Sequence, residues 1–297
     1  MAALRSAGLR SATLGVVVLS LLLSACGGLH KARGTLLRGE QYVAMGDSYT
    51  AAPGLGRVVA RDGCYQSDND YPHLVANETG ADLVDKSCVG AQTTGITGSQ
   101  LTLTRQHVPP QADALGPDTR LVTIGIGAND FGAYRLISAV CPGLAARSDT
   151  DDPCTEANRQ NRSGGLASLL VRLRPRLAAV LREVHDRAPR ALVLLVGYPD
   201  VIPAHGTCDL LPLAPGDYPF ARSIITGLNQ TLAAVARTSD AHYVDVFSAT
   251  AGHDICSDEP WIAGTKVKGK GAPWHPYAPE QETVAELVVQ AVRDAGI

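Results

Sequence analysis

The feature that most constrains the fold of this chain is an alternation of short apolar runs with longer segments of helical periodicity. The short runs predict strands at Gln41–Met45, Asp82–Asp85, Arg120–Ile126, Ala191–Val196 and His242–Val246. The longer segments predict helices at Tyr71–Thr79, Leu166–Arg187, Phe220–Arg237 and Glu280–Asp294, with a kink or break at Pro175. Continuous apolar strands separated by helices are typical of a parallel sheet that helices cover on both faces.

The pattern therefore predicts an α/β protein with three layers, α/β/α, in the flavodoxin-like arrangement around a central, mostly parallel five-stranded sheet. Such sheets carry their chemistry in the loops that follow the carboxyl ends of the strands. In this chain those loops are long and rich in Gly, Pro, Asp and Cys, and they span residues 46–70, 141–165, 199–219 and 247–275. We expect the functional residues to lie there.

The N-terminal segment has the order of a secretory signal: positive residues, an apolar run and then small residues. Arg5 and Arg10 precede the apolar run 14–23, which is shorter than the ~20 residues that a membrane span needs. The run ends in Leu-Ser-Ala-Cys, which resembles the lipobox of bacterial lipoproteins, with Cys26 as the lipidated residue. An ordinary signal peptide followed by a chance cysteine is the alternative.

We therefore expect residues 1–25 to be a lipoprotein signal peptide, residues 26–39 a flexible tether and residues 40–297 a single folded domain. This organisation predicts an exported protein that a lipid anchors at the outer face of the bacterial cell membrane. The protein is expected to be a monomer.

Charge and short motifs exclude several classes of function. Lys and Arg number 26 against 29 Asp and Glu, a net charge of −3, so the chain lacks the positive charge that a nucleic-acid partner requires. The sequence contains no His-Glu-x-x-His motif and no Cys-x-x-Cys pair, so no metal site and no cofactor are predicted. A metal-dependent hydrolase is an alternative, which activity that survives EDTA would exclude.

Six cysteines remain after Cys26, and an even number in an exported chain predicts disulfides. Several connectivities are possible, and the sequence alone does not choose among them. Sequential pairing is favoured because each bridge then closes a local loop: Cys64–Cys88, Cys141–Cys154 and Cys208–Cys256. Six buried thiols are the alternative, which an oxidising compartment disfavours.

Four short motifs stand after predicted strands or before the last helix. Ser48 lies in Gly-Asp-Ser-Tyr after the first strand, where a turn can present a nucleophilic hydroxyl, although Gly-Asp-Ser is also an ordinary turn. Gly90 follows the second strand, where a backbone N–H can approach a ligand, or where it forms only a turn. Asn129 follows the third strand, where its amide can donate into a cleft or cap a helix. His275, in Trp-His-Pro, is the predicted base.

In this order and on these elements, Gly-Asp-Ser-Tyr, Gly90, Gly-Ala-Asn-Asp and Trp-His-Pro resemble the four sequence blocks of the SGNH (GDSL-type) hydrolases. Residues 187–199 and the three cysteine pairs are similar to actinobacterial secreted esterases and lipases of that family, which carry three sequential disulfides. The resemblance covers about residues 40–295. It implies a serine ester hydrolase with an acyl-enzyme on Ser48, His275 as base, and the Ser48 N–H, the Gly90 N–H and the Asn129 amide as oxyanion hole.

The chain departs from the family pattern near His275, because the usual Asp three residues upstream is Ala272. Some family members use a main-chain carbonyl instead, so the Ala272 carbonyl is predicted to orient the imidazole. Asp254 or Asp258 is the second choice for this role. Two other histidines on loops at the same edge are second choices for the base: His205 and His253.

The predicted substrate is a carboxylic ester, and the Pro- and Leu-rich loop 199–219 favours a lipid-like ester. Short acyl esters and acylated wall glycans are open alternatives. The alternative function is a non-catalytic lipoprotein that binds a lipid or cell-wall ligand on the same fold, and Ala272 in place of the usual Asp is its strongest argument.

Overall fold

The computed structural model of the protein describes residues 36–297. The predicted signal peptide, Cys26 and the tether up to residue 35 lie outside these residues. The last four residues of the predicted tether belong instead to the fold, since Leu37 is buried and its N–H donates to the carbonyl of Thr79 at 3.0 Å. An apolar side chain gains free energy by leaving water, so the folded domain includes residues upstream of residue 40.

Seven strands occur in the described residues, and five of them form one sheet. They are β1 (Gln41–Gly46), β2 (Asp82–Asp85), β3 (Gln100–Leu101), β4 (His107–Val108), β5 (Thr119–Gly125), β6 (Leu192–Val196) and β7 (His242–Val244). The sheet has the order β2-β1-β5-β6-β7, and all its neighbouring strands are parallel. The short strands β3 and β4 pair antiparallel outside it.

The α-helices lie between and beyond these strands. They are α1 (Ser48–Ala51), α2 (Tyr71–Thr79), α3 (Thr93–Thr97), α4 (Ala133–Arg135), α5 (Cys141–Ala145), α6 (Pro153–Arg159), α7 (Gly165–Arg187), α8 (Tyr218–Thr238), α9 (Val246–Ala249) and α10 (Ala278–Ala295). Helix α7 runs through Pro175 without ending there, because packing of one apolar face on the sheet outweighs the lost backbone hydrogen bond. The predicted loop 141–165 contains α5 and α6.

Two apolar layers cover the sheet, which confirms the predicted three-layer α/β fold. Along β1, Tyr42 and Ala44 face the layer with α2 and α10, whereas Val43 and Met45 face the layer with α7 and α8. All four side chains are buried, because a parallel strand covered on both faces has no side in water. No helix in this part of the chain is both long enough and apolar enough to cross a bilayer.

The strand order places a topological switch point between β1 and β5. The chain passes from β1 outward to the edge strand β2 and then returns to β5 on the other side of β1. The connections therefore diverge at the carboxyl ends of β1 and β5, which leaves the crevice where open α/β sheets bind ligands. Three disulfides hold the loops at and around this edge: Cys64–Cys88, Cys141–Cys154 and Cys208–Cys256.

Candidate active site

Ser48 begins helix α1 directly after strand β1. The turn needs Gly46, because a Cβ there would lie 2.2 Å from Thr50 Oγ1 and 2.5 Å from the carbonyl oxygen of Gly125. Asp47 caps the helix by accepting from the Tyr49 N–H at 2.9 Å. Ser48 is 8 % exposed, and its hydroxyl has no hydrogen-bond partner among residues 36–297, so it is available to a ligand in the crevice.

Asp47 joins the ends of three strands. Its Oδ2 accepts from the Tyr198 hydroxyl at 2.7 Å, and that hydroxyl accepts from the Ala128 N–H at 3.1 Å. Tyr198 follows β6 and Ala128 follows β5, so the network fixes the Ser48 turn against both neighbours. Burial raises the pKa of Asp47 to about 7 against the lowering effect of its hydrogen bonds. Because both of its oxygens accept hydrogen bonds within this network, we assign Asp47 the role of holding the Ser48 turn in position.

The loop before α10 brings His275 beside the Ser48 turn. The Tyr134 hydroxyl donates to the Trp274 carbonyl at 2.5 Å and accepts from the Tyr49 hydroxyl at 2.7 Å. The Tyr49 ring lies 5.9 Å from the His275 ring, centroid to centroid. Because Tyr49 adjoins Ser48 in the chain, these contacts place the imidazole next to the helix that carries the serine.

The carbonyl that holds the imidazole differs from the predicted one. Nδ1 of His275 lies 2.7 Å from the Pro273 carbonyl, whereas the Ala272 carbonyl accepts the backbone N–H of His275 at 3.2 Å. The physical reason is the left-handed backbone of Trp274, with φ of 67°, which turns the ring back towards residue 273. A carbonyl only accepts, so Nδ1 carries the proton and Nε2 keeps its lone pair.

Partial burial lowers the pKa of His275 below its ordinary value of 6.5, although the hydrogen bond to Pro273 opposes the shift. The imidazole is therefore neutral near pH 7. A neutral imidazole with a free Nε2 can accept a proton from a nearby hydroxyl.

Neither second-choice carboxylate contacts His275. Asp254 Oδ1 accepts from the Cys256 N–H at 2.8 Å, and Asp258 lies in a shallow cleft with Lys268 and Lys270. No side-chain carboxylate in residues 36–297 forms a hydrogen bond with the imidazole. Its orientation therefore depends on the main chain.

The second-choice bases lie in other surroundings. His253 stacks on Trp261 at 3.8 Å between ring centroids, and its Nδ1 lies 3.0 Å from the Glu259 carbonyl. His205 lines an open cavity formed with Pro203 and Tyr218. The structure brings neither of them into contact with the Ser48 turn.

Each of the three residues predicted to form the oxyanion hole has an N–H group with no acceptor among residues 36–297. The Ser48 N–H and the Gly90 N–H have no hydrogen-bond partner among the described residues. The Asn129 amide donates one N–H to the Ala91 carbonyl at 3.0 Å, which leaves its second N–H available. Gly90 has a φ of 76° with open space around its Cβ position, so the backbone conformation, not crowding, requires glycine.

Asp130 fixes the loops that carry two of these donors. It accepts from the Thr93 N–H at 2.8 Å and from the Thr93 hydroxyl at 2.6 Å, and it pairs with Arg176 at 3.0 Å. The loop after β2 and the loop after β5 are thus joined. Charge-assisted hydrogen bonds of this kind hold positions that an isolated loop would not keep.

Sequence reasoning misses the roles of Tyr49, Tyr134 and Tyr198 in this network. Tyr198 could have been predicted, since it lies just after the carboxyl end of β6, and open parallel sheets carry their functional residues at these ends. Tyr134 lies on the short helix α4 and carries no such signal.

The loop 199–219 is predicted to favour a lipid-like ester, but its leucines pack inward. Leu211 and Leu213 are buried in the layer with α7 and α8. They therefore offer no acyl site. One group in the described part of the chain could hold a metal ion, formed by Asp70, His73 and Asp85.

The comparisons with known proteins point to lipases and related ester hydrolases. The sequence model of the GDSL-like Lipase/Acylhydrolase family matches residues 44–279. Lipase 2 of Streptomyces coelicolor is 36% identical over 252 residues, which cover 82% of this chain and 83% of that protein. Among solved structures, phospholipase A1 from Streptomyces albidoflavus NA297 has a TM-score of 0.69 at 26% identity, covering 85% of this chain and 99% of that one. An extracellular lipase from Streptomyces rimosus has a TM-score of 0.64 at 26% identity, covering 86% and 100%.

Proposed function

Because the chain belongs to the GDSL-like lipase/acylhydrolase family and is a carboxylic ester hydrolase, we propose that it cleaves lipid-like esters through an acyl-enzyme on Ser48. The observation that carries the proposal is the pair of hydrogen bonds that joins Tyr49, Tyr134 and the Trp274 carbonyl. These bonds hold the loop of His275 against helix α1, which carries the Ser48 hydroxyl. The imidazole is neutral, and the hydroxyl has no hydrogen-bond partner among the described residues. The retained hydroxyl, imidazole and donors favour catalysis over a binding-only lipoprotein.

In the first step, Ser48 Oγ attacks the ester carbonyl while its proton passes to Nε2 of His275. The Ser48 N–H, the Gly90 N–H and the Asn129 amide hold the oxyanion that forms. His275 then gives the proton to the leaving alcohol, which leaves the acyl group on Ser48. A water molecule then attacks the acyl carbonyl while its proton passes to His275. His275 returns this proton to Ser48 Oγ as the bond between Oγ and the acyl carbon breaks, which releases the acid and restores the hydroxyl.

His275 works without a carboxylate partner in this scheme. The Pro273 carbonyl fixes the tautomer through Nδ1, as an aspartate would, but it adds no negative charge beside the imidazolium. Three donors on the oxyanion then carry most of the transition-state stabilisation, each worth about 3–4 kcal/mol.

A surface beside the crevice supports a lipid-like substrate. Five of the six exposed large apolar side chains in the described residues form this surface, here called the apolar rim: Val58, Val59, Tyr65, Leu101 and Leu103. The apolar rim comes from two segments of the chain, 58–65 and 101–103, which meet where Gly63 lies against Thr102 and Thr104. The disulfide Cys64–Cys88 and the hydrogen bond from Gln100 Nε2 to the Val89 carbonyl attach the rim to the Gly90 loop.

Exposed apolar patches commonly mark binding surfaces, and an aggregated lipid ester is an apolar partner. The relatives named lipase and phospholipase A1 point to the same substrate class. We place the lipid substrate against the apolar rim, with its scissile ester at Ser48.

The three disulfides indicate export to an oxidising compartment, where such bonds persist. We further propose that the protein is a monomer held at the outer face of the cell membrane by a lipid on Cys26, following a signal peptide of residues 1–25.

Labelling by a fluorophosphonate probe tests the nucleophile. The full chain is expected to bind the probe, and Ser48→Ala to lose both the label and ester hydrolysis. Ser99→Ala, which changes an exposed serine, is the matched control and keeps both. Absence of label on the unchanged protein would contradict the serine mechanism and favour a binding role.

A series of p-nitrophenyl esters with increasing acyl length tests the substrate class. We expect kcat/KM to rise towards long chains, and Leu103→Ser to lower the rate on emulsified long-chain ester several-fold but not on soluble acetate. Val171→Ser, at an exposed apolar position on α7, is the control. A preference for acetate would exclude a lipid-like substrate while leaving the serine mechanism intact.

A further inference from the structure

A second polar cluster lies where α2 begins and the edge strand β2 ends. Asp70 caps α2, His73 lies in its first turn and Asp85 is the last residue of β2. One ligand atom from each of these side chains lies within 4.8 Å of the other two. The three residues are called the α2–β2 cluster below.

The two carboxyl groups of the α2–β2 cluster have buried oxygens and lie within hydrogen-bond reach of each other. Six side-chain polar atoms in the described residues are buried with no hydrogen bond of ordinary geometry, and four of them lie at this junction: Gln66 Oε1, Asp70 Oδ2, Asp85 Oδ2 and Ser87 Oγ. Asp70 itself is wholly buried. A buried oxygen without a hydrogen bond is costly, so such atoms concentrate where something else supplies the missing contact.

Within residues 36–297, His73 is the one basic side chain that pairs with the carboxyl groups of the cluster. Nδ1 of His73 lies 2.6 Å from Asp70 Oδ1, and no Lys or Arg of this part of the chain pairs with Asp70 or Asp85. Asp85 Oδ1 accepts from the Ser87 N–H at 2.8 Å, and the Asp85 carboxyl also lies within hydrogen-bond reach of the Ser87 hydroxyl and the Asp70 carboxyl.

We propose that Asp70, His73 and Asp85 bind a divalent metal ion, and that Zn²⁺ binds more tightly than Ca²⁺. Two carboxylates neutralise the charge of one divalent ion, and both unpaired Oδ2 atoms become ligands. An imidazole in the ligand set favours Zn²⁺, since Ca²⁺ takes oxygen ligands. Ser87 Oγ or water completes the shell.

The ion has a structural role in this arrangement. Strand β2 is the edge strand of the sheet, where β1 is its neighbour. The segment with Cys88 and Gly90 follows β2 directly in the chain, so its position depends on that strand. A metal ion shared by Asp70 and Asp85 joins that edge strand to α2. It does not touch the reacting atoms, so hydrolysis does not require it.

A thermal-unfolding titration of the untagged full chain tests the proposal. After EDTA treatment and dialysis at pH 8, Zn²⁺ at about a hundred times its Kd should raise Tm by about 5 °C, and Ca²⁺ should raise it less. Asp85→Asn should abolish the Zn²⁺ shift. The exposed Asp82 on the same strand is the matched control, and Asp82→Asn should keep the shift.

A second variant separates ligation from folding. His73→Ala changes a partly exposed side chain, and it should weaken Zn²⁺ binding, measured calorimetrically, by at least about tenfold while leaving the Ca²⁺ shift in place. Asp70 and Asp85 could instead share one proton, with His73 capping Asp70. That arrangement predicts no Tm shift with either ion, and this result, or a Zn²⁺ shift that persists in Asp85→Asn, would overturn the proposal.

Discussion

Buried aspartates occupy two places at the carboxyl edge of the sheet, and their oxygens are satisfied differently. At the switch point, Asp47 accepts from Tyr49 and Tyr198 on its two oxygens, and Asp130 accepts from Thr93 on both. In the α2–β2 cluster, one oxygen of each aspartate accepts from a backbone N–H, whereas the other has no N–H donor, and the two carboxyl groups lie within hydrogen-bond reach of each other.

This difference separates a site that the protein completes by itself from one that it leaves open. The hydrogen bonds of Asp47 and Asp130 come from the chain, so the loops of Ser48 and Asn129 keep their positions before substrate arrives. The α2–β2 cluster brings two carboxyl groups and an imidazole together, which is the composition of a cation site. The preorganised catalytic site and the proposed ion site thus lie at the ends of neighbouring strands of the sheet.

The sharpest test of this comparison replaces an aspartate of each kind by its amide. Asp130→Asn should lower the free energy of unfolding by about 3 kcal/mol, because it breaks the pair with Arg176 and places an NH₂ group against the Thr93 donors. Asp85→Asn in EDTA at pH 8 should leave stability unchanged or raise it. Urea denaturation measures both.

The sign for Asp85 follows from its pKa, which is higher in the folded than in the unfolded chain. A carboxyl with a raised pKa contributes stability at low pH and loses it as pH rises, so its amide gains most at pH 8. Equal losses in the two variants would contradict the distinction between paired and unpaired aspartates.

The next largest effect concerns the amide at the switch point. Asn129→Ala removes the available N–H and should lower kcat by about 10²–10³-fold with little change in Tm. The matched control is Asn69→Ala, a partly buried asparagine next to the α2–β2 cluster, which should leave kcat unchanged. A loss of kcat in both variants, or in neither, would remove Asn129 from the oxyanion hole.

A smaller effect is expected in the pH profile. His275 acts as a base only when neutral, and burial lowers its pKa, so activity is lost as pH falls through a midpoint below 6.5. A midpoint above 6.5 would indicate a carboxylate beside the imidazole. Asp47 also titrates, at about pH 7, so the profile is repeated with Asp47→Asn to assign the limb to His275.

The sequence predicts the centre of the sheet because strands β1, β5 and β6 are buried on both faces and therefore read as nearly continuous apolar runs. Strand β2 and helix α2 have the predicted bounds, whereas the two-residue strands β3 and β4 are too short to carry any period. Ser48 is identifiable from its place directly after a strand.

Contacts that depend on backbone turns or distant residues could not be predicted. The Pro273 carbonyl replaces that of Ala272 because Trp274 adopts a left-handed conformation, which no local rule assigns to tryptophan. Asp70 and Asp85 meet through the pairing of β2 with β1 and the packing of α2, and neither follows from their own residue types.

The smallest expected effect belongs to the carboxylates near the His275 loop. The double variant Asp254→Asn, Asp258→Asn should keep kcat within about threefold, since neither side chain bonds the imidazole. The imidazole already donates from Nδ1 to the Pro273 carbonyl, so a carboxylate has no free N–H to hold on that side. Asp254 Oδ1 is also occupied, because it accepts from the Cys256 N–H at 2.8 Å, and an amide oxygen at position 254 can replace that bond.

Steady-state kinetics on a soluble p-nitrophenyl ester measures the effect of the double variant. The two single variants are measured beside it, so that a loss can be assigned to one carboxylate. A loss of about 10⁴-fold, the size expected when an aspartate that orients a catalytic histidine is removed, would contradict the expectation. It would show that a carboxylate reaches His275 during turnover, and that the Pro273 carbonyl alone does not hold the ring.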